Sequence, residues 1–201
     1  LLLSDIHGNA DLLDKLDGEF KTSDAVLFAG DFAECFKTET AGPVLEKLSK
    51  KHDVILSVLG NCDEPEFIEK LEDADMNCER TIIYHDGIAF CGSGGGSVFT
   101  GKTPNERKEE ELVYDFDICK TESLDNLILI SHNPPKDTIC DAVNENLHAG
   151  SQMLRDLIIE TKPLAVVTGH IHEGRGIDKI NNTLIINPGS FGENGTYAVM
   201  E

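Results

Sequence analysis

Leu1-Leu2-Leu3-Ser4-Asp5-Ile6-His7-Gly8-Asn9 opens the chain: a short apolar run that ends in Asp, His and Asn. A continuous apolar run of this kind suits a strand buried on both faces, and the polar residues after it sit where open α/β sheets gather ligands, beyond the carboxyl ends of their strands. The pattern returns four times. Ala25–Ala29 ends at Gly30-Asp31, Val54–Leu59 at Gly60-Asn61, Leu127–Ile130 at Ser131-His132, and Leu164–Thr168 at Gly169-His170-Ile171-His172.

Helical periodicity fills the gaps between the first three runs. Ala10–Leu16 places Leu12, Leu13 and Leu16 on one face, and Val44, Leu45 and Leu48 mark a second helix. The alternation reads as βαβαβ, which implies parallel strands joined by right-handed crossovers. The intervals from Asp5 to Asp31 and from Asp31 to Asn61 agree with the ~30 residues of a βαβ unit.

After Ile68 the pattern changes. Thr81–Tyr84 and Ile88–Cys91 flank Asp86-Gly87, a hairpin signal. Gly92-Ser93-Gly94-Gly95-Gly96-Ser97 reads as a flexible loop rather than a phosphate cradle, because no Gly-Lys-Ser/Thr follows. Thr103 to Asp117 is charged and helical in part, a lid or a surface connection. Ser151 caps a helix carrying Met153, Leu154, Leu157 and Ile158, with Pro163 as its stop. Gly174–Ile180 and Leu184–Asn187 form a hairpin over Asn181-Asn182, and Tyr197–Met200 is a last strand. No internal repeat and no linker divides residues 1–201, so one domain is expected.

The chain has 201 residues, 40% hydrophobic and 27% charged, which is ordinary for a globular protein with a sizeable core. No apolar stretch approaches membrane-spanning length, and no secretory pattern appears. The chain starts at Leu1, without Met and already inside a strand-like run, so a few upstream residues are expected. The six cysteines include no C-x-x-C pair; reduced thiols and a cytoplasmic location follow as expectations. The net charge of −20 repels a nucleic-acid polymer and favours a small substrate.

Asp5, His7, Asp31, Asn61, His132, His170 and His172 all lie at strand ends or just beyond. Singly, each is ordinary: a lone His7 or His132 suits a partly buried histidine with a satisfied partner, Asp31 a helix cap, Asn61 a turn. Jointly they point to metal. Seven such donors are too many for one zinc and suit two divalent ions that share a carboxylate. Two-metal sites hold their ions ~3.5–4 Å apart, clamp a phosphoryl group and acidify a bridging water into a hydroxide nucleophile. Two such ions would make the pocket net positive within an acidic protein.

The runs DIHGN, GDF, GNCDE, SHNPP and GHIHE, in this order, resemble the calcineurin-like metallophosphoesterases over nearly the whole chain. The resemblance implies a four-layer α/β/β/α sandwich, two mixed β-sheets flanked by helices. It implies one metal on Asp5, His7, Asp31 and His172, the other on Asp31, Asn61, His132 and His170, with Asp31 bridging. Many members read Gly-Asn-His where this chain has Gly60-Asn61-Cys62, and that histidine is proposed to protonate the leaving group. Asp63 matches the acid that orients it. The Gly-Asn-Cys-Asp subgroup resembles small prokaryotic phosphodiesterases. Phe32-Ala33-Glu34 stands where protein phosphatases read Asp-Arg-Gly, which disfavours a protein substrate. Arg175 could add a phosphate contact. His148, at a helix start, reads as structural. Mn, Fe, Zn and Ni all fit these donors, with Mn favoured. The function implied is a hydrolase for a small phosphoester, favouring phosphodiesters. The rival readings are a scaffold like the retromer subunit of this fold, whose metal ligands are incomplete, and a nuclease.

Overall fold

The computed structural model of the chain describes residues 1–99, 101–120 and 124–201. β1 (Leu2–Leu3) leads through a 3₁₀ run at Ala10–Leu16 into α1 (Asp17–Thr22). β2 (Val26–Phe28), α2 (Ala41–Lys51), β3 (Ile55–Ser57) and α3 (Ile68–Asp73) follow. β4 (Ile83–His85) and β5 (Ile88–Ser93) form the hairpin over Asp86-Gly87, whose positive φ values of 48° and 78° suit the tight turn. The chain continues through β6 (Gly96–Ser97), β7 (Glu106–Arg107), α4 (Glu109–Tyr114), β8 (Leu127–Ser131), β9 (Ala142–Asn144) and β10 (Leu147–His148). It ends with α5 (Gln152–Thr161), β11 (Ala165–Thr168), β12 (Gly176–Ile180), β13 (Thr183–Asn187) and α6 (Phe191–Asn194). Ser151 caps α5 by accepting the Leu154 N–H, as its sequence implies.

Two sheets result. β1, β2 and β3 pair in parallel, as the βαβαβ pattern requires. The larger sheet runs β12-β13-β11-β8-β5-β4, with parallel pairing in its centre and antiparallel β12 and β4 at its edges. Residues 77–79 stitch the two together: Asn77 bridges to Ser57 and Glu79 to Gly92. The strand expected at Tyr197–Met200 is reduced to one antiparallel bridge, Ala198 with Leu2. Its partner β1 is only two residues long, so the ladder has nothing further to pair with.

Strand alternation sorts side chains into layers. Leu1, Leu3, Val26, Phe28 and Ile55 face α1, α2 and α3, while Leu2, Leu27, Ala29, Leu56 and Val58 face the other sheet. There they meet Phe90, Ile128, Ile130, Ala165, Val167 and Ile186. The opposite face of the larger sheet, with Cys91, Leu127, Leu129, Val166 and Ile185, packs on α4 and α5. The order is helix, sheet, sheet, helix, the expected sandwich. Among the described residues no helix is long and apolar enough to cross a membrane.

The inter-sheet layer fixes how the strand ends of the two sheets face each other. Truncating fully buried Ile130 (0% exposed) therefore removes contacts to both sheets. Ile130→Ala is expected to cost about 2–5 kcal/mol of unfolding free energy. Ile177→Ala, at a side chain 64% exposed, should stay within about 0.5 kcal/mol. Denaturant titration of both variants checks the contrast.

Glu79 supplies a second expectation. Its buried carboxylate accepts the Leu59 N–H (2.7 Å) at the seam between the sheets. Burial pushes its carboxyl up to about 7, and Asp115 adds to this. An unfolded glutamate titrates near ~4.3. The contribution of protonated Glu79 to stability is thus complete below ~4.3 and lost as pH rises to about 7. Glu79→Gln keeps the acceptor for Leu59 without the ionisation. Its stability should fall less than the wild type's across that window, measured by unfolding at stepped pH.

Candidate metal centre

The five polar runs meet at the carboxyl ends of β1, β2, β3, β8 and β11. One donor atom from each of Asp5, His7 and His172 lies within 4.8 Å of the others, and the same holds for Asp5, Asp31 and His132. Asn61 and His170 join this group. Asn61 Oδ1 is 2.9 Å from His132 Nε2, and the His170 ring packs against His132 at 5.1 Å between centroids. All seven residues singled out in the sequence are brought together from both sheets.

Asp31 sits in the middle. Its Oδ2 is 3.6 Å from His7 Nε2 and 3.5 Å from His132 Nε2, while Oδ1 accepts the Cys62 N–H at 2.8 Å. Asp5 accepts the His170 N–H at 3.2 Å and lies 3.3 Å from His172 Nε2. The histidine rings are aimed by their other nitrogens. His7 Nδ1–H donates to the Ala33 carbonyl (3.1 Å) and His132 Nδ1–H to the Ala29 carbonyl (2.6 Å). Since carbonyls only accept, both rings turn bare Nε2 lone pairs inward, the orientation that backbone carbonyls impose on ligating imidazoles. His132 Nε2 then faces the Asn61 oxygen, lone pair to lone pair. Such an arrangement is unfavourable without an electron-poor centre to share, and it fits a cation held between oxygen and imidazole donors.

Backbone strain gathers at the same residues. Asp5, His7, Asp31 and His170 all have left-handed φ, between 47° and 68°. Such conformations cost non-glycine residues free energy and persist where the surroundings over-determine them. The turns also need glycine for close approach. A Cβ on Gly60 would collide with the Asp31 carboxylate, and one on Gly169 with the Ser4 hydroxyl and Asp5 Oδ2.

The electrostatics follow from burial. Burial alone would raise the Asp5 carboxyl, but the hydrogen bond and charge of the neighbouring His172 outweigh it and hold Asp5 well below the carboxylate range. Asp31 is raised by burial, a shift that His132 opposes and Asp5 reinforces. Burial, then His132, pushes the His170 imidazole down to about 3; the hydrogen bond to Asp5 lifts His172 to about 9.

Several supporting groups were not legible as such. Asp63 does not stand ready to orient a side chain at position 62. Its carboxylate accepts the N–H groups of Asp31, Phe32, Ala33 and Gly60, at 2.8–3.2 Å, and clamps the loops after β2 and β3 together. Asn187 Nδ2 donates to the Ile171 carbonyl at 2.9 Å, and Glu193 lies 3.2 Å from His172 Nδ1. Asn187-Pro188-Gly189-Ser190 reads as a turn, a pattern that does not by itself disclose this role. Nothing in the sequence pointed to Glu193. Gly92–Ser97 is no flexible loop: it is largely buried, and a Cβ on Gly96 would stand 3.2 Å from both Asn61 and His170. Its glycines let the backbone pass this close to the centre.

Two further expectations change. Cys62 is not a free thiol but forms a disulfide with Cys35, the half-buried residue at the end of the Asp31 loop; Cys78, Cys91, Cys119 and Cys140 take part in no disulfide among the described residues. The spacing of 27 residues hides the pair in sequence, whereas the folded loops bring the two Cα atoms to 4.7 Å. Arg175 is exposed, and its stem lies over Gly189 at the edge of a separate cavity shared with Tyr197 and Ala198. His148 Nδ1 pairs with Asp141 at 2.7 Å.

The description of the family whose model matches the chain is a calcineurin-like phosphoesterase superfamily domain, and the match spans residues 1–201. An uncharacterized protein of Methanocaldococcus jannaschii, MJ1162, is 36% identical over 193 residues, covering 92% of this chain and 85% of that protein. Among solved structures, TT1561 of Thermus thermophilus shares the fold with a TM-score of 0.71 at 17% identity, over 96% of this chain and 89% of that one. A dimetal phosphatase from Danio rerio shares it with a TM-score of 0.63 at 14% identity, over 96% of this chain and 87% of the other. The whole-length family match, the archaeal relative and the shared sandwich lead to one assignment: this chain belongs to the calcineurin-like phosphoesterase superfamily.

Proposed function

We propose that residues 1–201 act as a single unit that hydrolyses a small phosphoester, a phosphodiester by preference, with two divalent metal ions. The observation that carries this reading is the position of Asp31 Oδ2 between His7 Nε2 and His132 Nε2, at 3.6 and 3.5 Å. One carboxylate oxygen so placed suits a bridge between two centres. Asp5, His7 and His172 would complete the first, and Asn61, His132 and His170 the second. Divalent ions held there supply Lewis-acid stabilisation of a phosphoryl group and activation of water. Mn is the favoured ion for this mixed oxygen and imidazole set.

The chain's own residues do the rest. Asp63 keeps the Asp31 and Asn61 loops in register, and the carbonyls of Ala29 and Ala33 hold the imidazoles in the ligating tautomer. Tied to Cys35, Cys62 has no S–H to give a departing oxygen. Acid catalysis contributes typically ~10²–10⁴-fold where a leaving group needs it. Substrates with acidic leaving groups therefore suit this centre best. The net charge of −20 supports a small substrate over a nucleic-acid polymer. A full set of donors favours an enzyme over a scaffold. A cytoplasmic setting completes the reading.

Metal removal tests it directly. A chelated, desalted protein should lose hydrolysis of aryl and alkyl phosphodiesters, and Mn(II) should restore it, with aryl esters turned over faster. Hydrolysis by the metal-free protein at the reconstituted rate would refute the proposal.

Substitutions separate the centre from its surroundings. Asp31→Asn removes the charge assigned to both ions and should lower activity about 100-fold or more, with loss of bound metal. Arg175→Ala, at an exposed side chain assigned at most an outer phosphate contact, should stay within about tenfold of wild type. Metal content and kcat/KM for the two variants decide the order.

A further inference from the structure

The corner of the site that holds Cys35 and Cys62 has a chemistry of its own. A ring nitrogen of His7 and the two sulfurs all lie within 4.8 Å of one another. The pair connects the Asp31 loop to the Asn61 loop, and Cys62 donates its backbone N–H to Asp31. As a disulfide, the two sulfurs are bonded to each other and are poor metal ligands. As thiolates they would be soft donors, and two thiolates with one imidazole are a donor set used by zinc with a fourth position left open.

We propose that reduction of Cys35–Cys62 opens a second, thiolate-rich metal site, formed by Cys35, Cys62 and His7 and taking an ion of the zinc class. The reductant is a dithiol. Its thiolate attacks Cys35 Sγ, because Cys35 is half-buried and Cys62 only 2% exposed. The Cys35–Cys62 bond breaks, and the electron pair leaves on Cys62 Sγ, which takes a proton. The second thiol of the reductant then displaces Cys35 Sγ, which is also protonated, and the reductant departs as a disulfide. Metal binding releases both protons. The site rests on the hydrolytic reading only in that His7 is shared with the first of its two centres. A reduced, zinc-loaded protein has His7 drawn toward sulfur, and its donor set differs from that of the oxidised protein.

Cobalt(II) is the probe, because bonds from sulfur to cobalt absorb in the near ultraviolet and bonds from oxygen or imidazole do not. The full chain, freed of metal, is reduced with a dithiol, desalted anaerobically and titrated with cobalt; an untreated sample is titrated in parallel. The reduced protein should show the sulfur band, and the oxidised protein should lack it. Cys35→Ser and Cys62→Ser should each abolish it. Asp31→Asn should retain the band while hydrolysis is lost, which separates this site from the hydrolytic centre. In reduced wild-type protein, zinc should slow alkylation of Cys35 about tenfold, read by mass spectrometry; this arm needs no variant to fold. Cobalt bound without a sulfur band, a band surviving Cys35→Ser, or alkylation indifferent to zinc would each overturn the site. Six free thiols after mild oxidation would overturn its redox control.

Discussion

Two carboxylates, Asp5 and Asp31, are buried side by side at 1% and 2% exposure, and the surrounding structure answers that constraint. An ionised carboxylate out of water is costly unless it is paired and hydrogen-bonded, and two together add mutual repulsion. Here the answer is partial within the protein itself. Asp31 accepts from Cys62 N–H, and Asp5 accepts from His170 N–H and pairs with His172. Yet His7 and His132 turn bare nitrogens toward the carboxylates instead of donors, because their Nδ1 protons are committed to carbonyls. Such a pocket is arranged for cations more than for its own internal neutrality.

Holding donors in that arrangement has a conformational cost, and the fold places it where it can be sustained. The left-handed φ of Asp5, His7, Asp31 and His170 would relax in a free loop. It persists because each lies within a few residues of a strand whose inward face is locked in the inter-sheet core: Leu2 before Asp5, Ala29 before Asp31, Val167 before His170. Ligand geometry therefore depends on side chains that never touch a metal. The close glycines serve the same end, since Gly60 and Gly169 admit no side chain between the turns.

Much of this was legible because buried parallel strands read as apolar runs, and the chemistry follows each run immediately. Leu127–Ile130 and Leu164–Thr168 needed no contact information to be placed beside a site. The sandwich was legible only through resemblance, as alternation along Leu1–Leu3 cannot say what covers either face. What stayed hidden depends on contacts between loops distant in sequence. Asp63 is a loop clamp only once β2 and β3 are neighbours, and Cys35 meets Cys62 only across the same gap. Gly92–Ser97 misled for a related reason: glycine signals freedom in an isolated loop and close packing in a folded one.

The clamp and the disulfide join the same two loops, and the overlap matters. Asp63 holds Asp31, Phe32, Ala33 and Gly60 through four backbone hydrogen bonds from a fully buried carboxylate. Asp31–Ala33 and Gly60 are therefore held without the covalent link. Cys62 is flanked by Asn61 and Asp63, and its N–H stays on Asp31 whatever the state of its sulfur. Reduction therefore alters which atoms face His7 more than where the backbone runs. The loops remain a rigid frame, and the sulfurs are its exchangeable part.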